Sequence, residues 1–220
     1  IVVNCAGVIK QRPSSPREIW RLNTDMPHRL AHLVHQMDAR LIHVSTDCVF
    51  AGARGAYHER DAPDATDLYG MSKAAGEPKG EHVLTIRSSH VGFEVTPGLS
   101  LLSWAMSRRG SAVDGYANAK YSGVSTPTFA RVVRMLVETG RPLSGMFHLA
   151  SKPITKSSLL EMLNRTLRLN LTITPVAEPN IDRTLNGCAF EARTGYMVPA
   201  WDDMVSEIAE TQHDYPYATQ

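Results

Sequence analysis

The sequence predicts an α/β fold, with a doubly wound parallel sheet and a smaller C-terminal lobe. Short apolar runs alternate with helix-like stretches through the first half of the chain, which is typical of strand–helix units in a parallel sheet. Polar clusters follow three of these runs, at 4–7, 45–47 and 88–90. Since ligands bind outside the carboxyl ends of strands in such sheets, the three clusters predict one shared cleft.

The first half of the chain carries the clearest element signals. In chain order we predict a buried strand at 1–4, a helix ending near 37, a strand at 41–44, a helix at 68–77 and a strand at 83–87. Apolar residues from Leu22 to Met37 at near-helical spacing indicate the first helix. Asp67 is placed to cap the second.

After Gly92 the pattern is less regular. We predict helices at 99–108, 128–138, 156–167 and 201–211, with strands at 146–150 and 171–175 on either side of the third helix. We expect a sheet domain at 1–92, to which 124–150 returns, and a smaller lobe at 93–220.

Composition excludes several classes of function. The formal net charge is +1 with no long run of one sign, so we expect neither a nucleic-acid partner nor a membrane surface. The three cysteines are far apart in sequence, which argues against a disulfide framework and favours the cytoplasm. His28 and His32 have metal-ligand spacing, but no HExxH pattern accompanies them, and we expect no metal site. No apolar run approaches the roughly 20 residues that span a bilayer.

The strongest chemical signal combines Tyr69, Lys73 and Thr46. Residues four apart share one helix face, and Thr46 follows the preceding strand. Reducing a carbonyl requires a proton for the developing alkoxide, and a phenol of pKa about 10 supplies it slowly at neutral pH. An ammonium about 4 Å away would favour the phenolate by about 4 kcal/mol, enough to bring the pKa of Tyr69 close to 7. The Thr46 hydroxyl would orient the carbonyl oxygen.

A tyrosine–lysine pair alone is common on helix surfaces, but the residues around it resemble the dTDP-4-dehydrorhamnose reductases, which are extended short-chain dehydrogenases. The resemblance lies in 45–52, 57–63, 69–73, 76–77, 86–92, 115–118, 122–126, 145–150, 182–185 and 195–201. It implies a Rossmann-like sheet domain and a substrate-binding lobe. It also implies reduction, with NADH or NADPH, of the 4-keto group of a nucleotide-linked deoxysugar for cell-surface polysaccharides.

The resemblance also implies roles for particular residues. Thr46, Tyr69 and Lys73 would be the catalytic set. The implied cofactor-binding residues are Asn4, Cys5, Ala6, Gly7, Asn23, Ser45, Ser88 and Ser89, with Asn23 supporting the lysine. The implied substrate-binding residues are Asp47, Cys48, His90 and Arg183. The sequence does not determine the oligomeric state, and a homodimer is one possibility.

The sequence departs from the family pattern in two ways. The glycine-rich loop that holds the cofactor pyrophosphate is absent, and the first residues resemble the middle of a strand. We therefore expect an N-terminally truncated chain, in which the choice between NADH and NADPH cannot be read. Cys48 and His90 occupy positions where these reductases often carry aromatic residues, which leaves the particular sugar open.

Other interpretations of the same residues stay open. A 4-epimerase would reuse Tyr69 and Lys73, and the regulatory subunit of methionine adenosyltransferase resembles this family without catalysing the reduction. Dehydratases of this type carry Asp–Glu after the threonine, whereas here Cys48 follows Asp47. Arg183 suits a diphosphate or a structural ion pair equally well. Cys48 is better explained as a small packed residue than as a nucleophile.

Overall fold

The computed structural model describes residues 1–96, 98–140 and 142–219, and it confirms the α/β class. Its strands are β1 Val2–Asn4, β2 Leu41–Thr46, β3 Val83–Ser88, β4 His90–Val91, β5 Ala112–Tyr116, β6 Ala119–Tyr121, β7 Val124–Ser125, β8 Gly145–His148, β9 Ile154–Thr155, β10 Thr172–Val176 and β11 Ile181–Asp182. Its helices are α1 Pro16–Trp20, α2 Met26–Gln36, α3 Leu68–Ala75, α4 Leu101–Ser107, α5 Thr126–Glu138, α6 Lys156–Leu167, α7 Cys188–Thr194 and α8 Trp201–Glu210. Within these residues, no helix is long and apolar enough to cross a membrane.

The main sheet has four parallel strands in the order β1-β2-β3-β8. The strand β8 comes from the second half of the chain and pairs with β3, from Leu84 opposite Gly145 to Arg87 opposite His148. The return of 124–150 to the sheet domain stays a prediction, of which this pairing concerns 145–148 alone. The division of the chain at residue 92 stays a prediction.

The first strand differs from the sequence prediction. Val2 is 36% exposed and Val3 38% exposed, so the prediction of a buried strand is wrong. The reason is position, because β1 lies at the edge of the described sheet and pairs only with β2. The apolar run therefore predicted the strand correctly, but it did not predict that the strand's valines are exposed.

The helices α1 and α2 are joined by a π-helical turn at Arg21–Asp25. In this turn the Met26 N–H donates to the carbonyl of Arg21, five residues back. Pro27 follows directly and has no N–H to donate, which weakens the regular α-helical pattern at this point. Asn23 lies in the π turn and is completely buried.

The second half of the chain packs on the sheet through one continuous apolar core. Leu84 and Ile86 of β3 belong to the same buried cluster as Leu163 of α6 and Ile208 of α8. The glycine-containing stretch after α4, which carried no strand prediction, forms β5 and β6. Both strands find partners far along the chain, at β10 and at β9 and β11, and these long-range pairings leave little local signal.

Helix α3 is placed by its cap and by close packing. The Asp67 carboxylate accepts from the Gly70 N–H at 3.0 Å, as predicted for an N-cap. A Cβ at Gly70 would lie 2.3 Å from the Cys48 carbonyl oxygen, so only glycine allows this approach. The helix ends at Ala75, two residues earlier than predicted.

Candidate active site

The predicted polar clusters meet in a cleft of about 480 Å³ at the carboxyl ends of β1, β2 and β3. Of the predicted site residues, those lining the cleft are Cys5, Ala6, Gly7, Ser45, Thr46, Asp47, Cys48, Tyr69, Lys73, Ser88, Ser89, His90 and Arg183. Asn4 and Asn23 lie behind its wall, where both are buried. The parallel sheet is the reason for this convergence, because it brings strand ends that are far apart in sequence to one edge.

Thr46, Tyr69 and Lys73 come from two elements. Thr46 ends β2, while Tyr69 and Lys73 lie one turn apart on α3. The Thr46 hydroxyl accepts from the Cys48 N–H at 3.1 Å and donates to Asp47 Oδ1 at 3.2 Å. The Lys73 ammonium donates to the Val44 carbonyl at 2.8 Å, which ties α3 to β2.

Burial dominates the pKa values of this set. Burial raises the pKa of Tyr69 above its ordinary value, and the neighbouring Cys48 adds to the increase, while a hydrogen bond with Thr46 opposes it. The sequence predicted the opposite, a pKa near 7 set by Lys73. That prediction fails for the protein alone, because desolvation is the largest influence, the charges that act on the phenol raise its pKa further, and Lys73 bonds to Val44. Burial lowers the pKa of Lys73 to about 8, against the opposing influence of Glu77.

Asn23 braces the loop at 5–9 against α3. Its Oδ1 accepts from the Val8 N–H at 2.8 Å, and its Nδ2 donates to the Val8 carbonyl and to Ser72 Oγ. The amide thus holds the residue next to Lys73 rather than the lysine itself. A Cβ at Gly7 would be 3.1 Å from Asn23 Oδ1, so the backbone of the loop packs closely against the Asn23 amide at this wall of the cleft. A direct cofactor contact by Asn23 stays a prediction.

Two more predicted cofactor ligands have side chains that bond within the protein. Asn4 Nδ2 lies 3.0 Å from His43 Nδ1, and Asn4 Oδ1 accepts from the Ala6 N–H at 3.1 Å. Ser45 Oγ donates to Glu77 Oε1 at 2.6 Å. These contacts hold the floor of the cleft, and a role in cofactor binding stays a prediction for both residues.

The segment Ser88 to His90 forms one wall. Ser88 Oγ donates to the Leu149 carbonyl at 2.8 Å, and the Ser89 carbonyl accepts from the Val124 N–H at 2.8 Å. The His90 ring packs edge-on against Phe129, with 4.4 Å between ring centroids. Its exposed surface faces the cleft, while protein surrounds the rest of the ring and lowers its pKa to about 4. His90 is therefore a neutral hydrogen-bonding group at pH 7.

Asp47, Cys48 and Arg183 form the opposite wall. Burial raises the pKa of Asp47, with the charges of Lys156 and Arg183 opposing that change. Burial raises the pKa of Cys48 to about 12, so its thiol stays protonated. Arg183 Nε donates to the Phe50 carbonyl at 2.9 Å. Among the described residues no carboxylate oxygen lies within 4.0 Å of its guanidinium, which removes the alternative of a structural ion pair.

Sequence reasoning missed Lys156, which also lines the cleft. It occupies the first position of α6, where the helix dipole disfavours a cation, and this was the one local signal that could have drawn attention to it. Its ammonium lies 3.7 Å from the centroid of the Tyr121 ring. Burial lowers its pKa, with Asp47 as the main opposing charge.

The charges that line the cleft favour an anionic ligand. Four are cationic, and Asp47 is the single carboxylate; the cations are Lys10, Lys73, Lys156 and Arg183. Lys10 is paired with Asp67 at 2.6 Å, which still leaves an excess of positive charge. In the part of the chain that the structure describes, no group of three or more His, Cys, Asp and Glu side chains is arranged to hold a metal ion.

A second cavity, of about 650 Å³, continues from the cleft. The two share five lining residues, which are Gln11, Leu99, Ser100, Leu101 and Lys156. Trp104, Asp114 and Tyr116 line the far side of the second cavity. Together the two spaces are large enough for an extended ligand with a charged middle part.

Comparison with known proteins gives a family. The family model described as the RmlD substrate binding domain matches residues 1–183. A dTDP-4-dehydrorhamnose reductase from Streptomyces griseus is 35% identical over 80 residues, which are 35% of this chain and 26% of that protein. Methionine adenosyltransferase 2 subunit beta from Bos taurus is 36% identical over 81 residues, 35% of this chain and 24% of that protein. These matches thus span about a quarter of each relative's length.

A longer match and several solved structures extend the comparison. The probable low-salt glycan biosynthesis reductase Agl14 of Haloferax volcanii is 26% identical over a segment that covers 98% of this chain and 78% of the Agl14 sequence. The dTDP-4-dehydrorhamnose reductase structure from Clostridium acetobutylicum aligns with a TM-score of 0.83 at 19% identity, covering 96% of this chain and 80% of that one. The Bacillus anthracis enzyme, solved with NADP, aligns with a TM-score of 0.80 at 19% identity, covering 94% of this chain and 78% of that one. These structures confirm a Rossmann-like fold.

Proposed function

The chain belongs to the RmlD substrate-binding-domain family, and we propose that it takes part in reducing the 4-keto group of a nucleotide-linked deoxysugar with NADPH or NADH. One observation carries the proposal: Thr46, Tyr69 and Lys73 share a cleft whose charged lining is mostly cationic. Family membership supplies the reaction class, and the cleft supplies the groups that this reaction requires.

Each group of the set has a role in that reaction. The substrate carbonyl oxygen would bond to the Thr46 hydroxyl and the Tyr69 phenol. A bound NAD(P)H would supply the hydride to the carbonyl carbon. Because its pKa is raised, the Tyr69 phenol is protonated at neutral pH and can give its proton to the oxygen as the alcohol forms. The raised pKa keeps the proton on the phenol but makes it a weaker acid, so its transfer depends on the developing alkoxide, which is a much stronger base, and on a positive charge beside the phenol.

Lys73 would act beside the phenol. With a pKa near 8 it is mostly an ammonium at neutral pH, and it uses one donor on Val44. An ammonium has three donors, so two stay available for a ligand in the cleft. Its positive charge would stabilise the phenolate that remains after proton transfer.

The residues present fit a dinucleotide at the mouth of the cleft. Cys5, Ala6 and Gly7 are exposed and line it, and short side chains allow a ligand to approach the backbone closely. The solved relatives carry such cofactors: the Bacillus anthracis enzyme has NADP, and WbmG of Bordetella bronchiseptica has NAD with UDP. We propose that the loop at 5–7 holds part of the cofactor here.

The test is a direct assay. The chain, joined to any native segment that precedes it, is offered NADPH or NADH with dTDP-4-keto-6-deoxyglucose or its UDP counterpart, and cofactor oxidation is followed. We expect turnover that falls about 10²–10⁴-fold in Tyr69→Phe and is unchanged in the control Tyr196→Phe, whose side chain lines neither cavity. Full turnover by Tyr69→Phe would refute the proposed mechanism. Inversion at C4 with no net cofactor oxidation would indicate an epimerase instead.

A regulatory subunit is the second candidate. The observation that favours it is the 36% identity to methionine adenosyltransferase 2 subunit beta, over a segment as long as the reductase match. A protein of this kind would bind a nucleotide and a catalytic subunit without turnover. Nucleotide binding in the assay above, with no oxidation on any keto sugar, would favour this candidate.

A further inference from the structure

Lys156 brings an ammonium group into the cleft without a paired acceptor. The described residues provide no carboxylate oxygen within 4.0 Å of its Nζ and no hydrogen-bond acceptor within 3.5 Å. Its contact is with the face of Tyr121, 3.7 Å from the ring centroid. A cation on an aromatic face is stabilised without using its N–H donors, so these stay free for a ligand.

The neighbouring charges do not neutralise this ammonium. The groups whose charges act on it are Asp47, Cys48 and Arg183, and of these the Cys48 thiol is protonated at neutral pH. One carboxylate stands against two cations here, so a net positive charge remains. Arg183 also keeps guanidinium donors free, because its Nε alone is used, on the Phe50 carbonyl.

Lys156 lies where the two cavities join. It lines both the catalytic cleft, with Thr46 and Tyr69, and the second cavity, with Trp104 and Tyr116. A ligand that occupied both spaces would have to pass this side chain. A sugar nucleotide has its charge at that place, since a diphosphate joins the sugar to the nucleoside.

We propose that Lys156, with Arg183, binds the diphosphate of the sugar nucleotide at the junction of the two cavities. This inference rests on the proposed function and adds a residue to it. The sugar lies on the Tyr69 side and the nucleoside lies toward Trp104. Lys156 binds and positions the ligand and takes no part in proton transfer. The competing explanation is that Lys156 only offsets the buried charge of Asp47.

Calorimetric titration separates the two explanations. The chain is titrated with dTDP, UDP and thymidine, and Lys156→Met is compared with the control Lys152→Met, an exposed lysine four residues earlier. We expect dTDP and UDP to bind Lys156→Met about ten- to hundredfold more weakly, as for loss of a charged hydrogen bond. Thymidine should bind both variants as it binds the unsubstituted chain. Lys156→Arg should keep most of the affinity, and it serves as the reporter if Lys156→Met fails to fold.

Each contrary outcome has a distinct meaning. Equal dTDP affinity in Lys156→Met and the unsubstituted chain would overturn the inference and leave the reductase proposal intact. An equal loss for dTDP and thymidine would also overturn it, because a packing defect rather than a lost charge would be the cause. If the unsubstituted chain binds neither dTDP nor UDP, the inference fails together with the proposed substrate class. Selective loss of dTDP binding in a chain without turnover would support the inference and refute the reductase.

Discussion

Glu77 and Arg87 form a bidentate, buried ion pair immediately after the end of α3. Arg87 Nε donates to Glu77 Oε1 at 2.8 Å, and a terminal guanidinium nitrogen lies 2.7 Å from Oε2. Ser45 donates to the same carboxylate at 2.6 Å. The helix that carries Tyr69 and Lys73 is therefore fastened to β2 and β3, the two strands whose ends form the cleft.

Replacing Glu77 by Gln should destabilise the protein by about 3–5 kcal/mol, because Arg87 would keep a buried charge without its partner. Urea unfolding measures this loss. The control is Glu138→Gln, which breaks the exposed pair between Arg134 and Glu138 on α5 and should leave the unfolding midpoint unchanged. Similar midpoints for the two variants would show that the buried pair does not hold α3.

Activity should fall as pH rises through about 8, because Lys73 has its pKa there and loses its positive charge above it. Below pH 8 the ammonium is present and, in the proposed mechanism, would stabilise the phenolate left on Tyr69. The measurement is kcat/KM from pH 6 to 10. In Lys73→Arg the guanidinium stays charged, so its remaining activity should lack the decline near pH 8. An identical decline in that variant would assign it to another group.

The same residue should reduce stability at neutral pH. The folded pKa of Lys73 is about 8 and its ordinary value is 10.5, so between these values the unfolded chain binds more protons. The free energy of unfolding should therefore rise with pH between about 8 and 10.5. Below pH 8 it is lowered by the full free-energy cost of burying the Lys73 ammonium. That cost is at most about 3 kcal/mol.

Lys73→Met is the corresponding variant. Since it removes a charge that is buried at a cost, we expect it to unfold at higher urea than the parent at pH 7, with the gain shrinking toward pH 10. The matched control is Lys152→Met, at an exposed site, whose effect should not vary with pH. A Lys73→Met protein less stable than the parent at pH 7 would show that the Val44 bond outweighs desolvation.

Sequence patterns predicted that Thr46, Tyr69 and Lys73 would lie together, and they share one cleft because the geometry that brings them there is local. Tyr69 and Lys73 share a face by helical spacing, Asp67 caps their helix, and Thr46 ends a strand of a parallel sheet. These relations depend on a few neighbouring residues, so period and cap signals suffice. The convergence of strand ends follows from the fold class alone.

What the sequence could not supply depends on contacts that are distant along the chain. The pKa of Tyr69 moves opposite to the prediction because desolvation comes from packing against elements that no local pattern reveals. Lys156 enters the cleft from 110 positions beyond Thr46. The exposure of Val2 depends on the number of strands beside β1. Ser45 looks like a ligand in the motif, yet its hydroxyl serves Glu77.

Gly70→Ala should disturb the packing of α3 against the end of β2. A Cβ at this position would meet the Cys48 carbonyl oxygen at 2.3 Å and the Ala65 Cβ at 2.5 Å, and neither can yield without moving backbone. Overpacking of this kind costs about 1–3 kcal/mol, and relief requires α3 to move away from the end of β2. That movement would separate Tyr69 from Thr46, so kcat should fall while dTDP binding at Lys156 persists. Met71→Ala, which trims an exposed neighbour, is the control for stability and turnover. Full kcat in Gly70→Ala would show that the contact between α3 and Cys48 does not set the distance across the site.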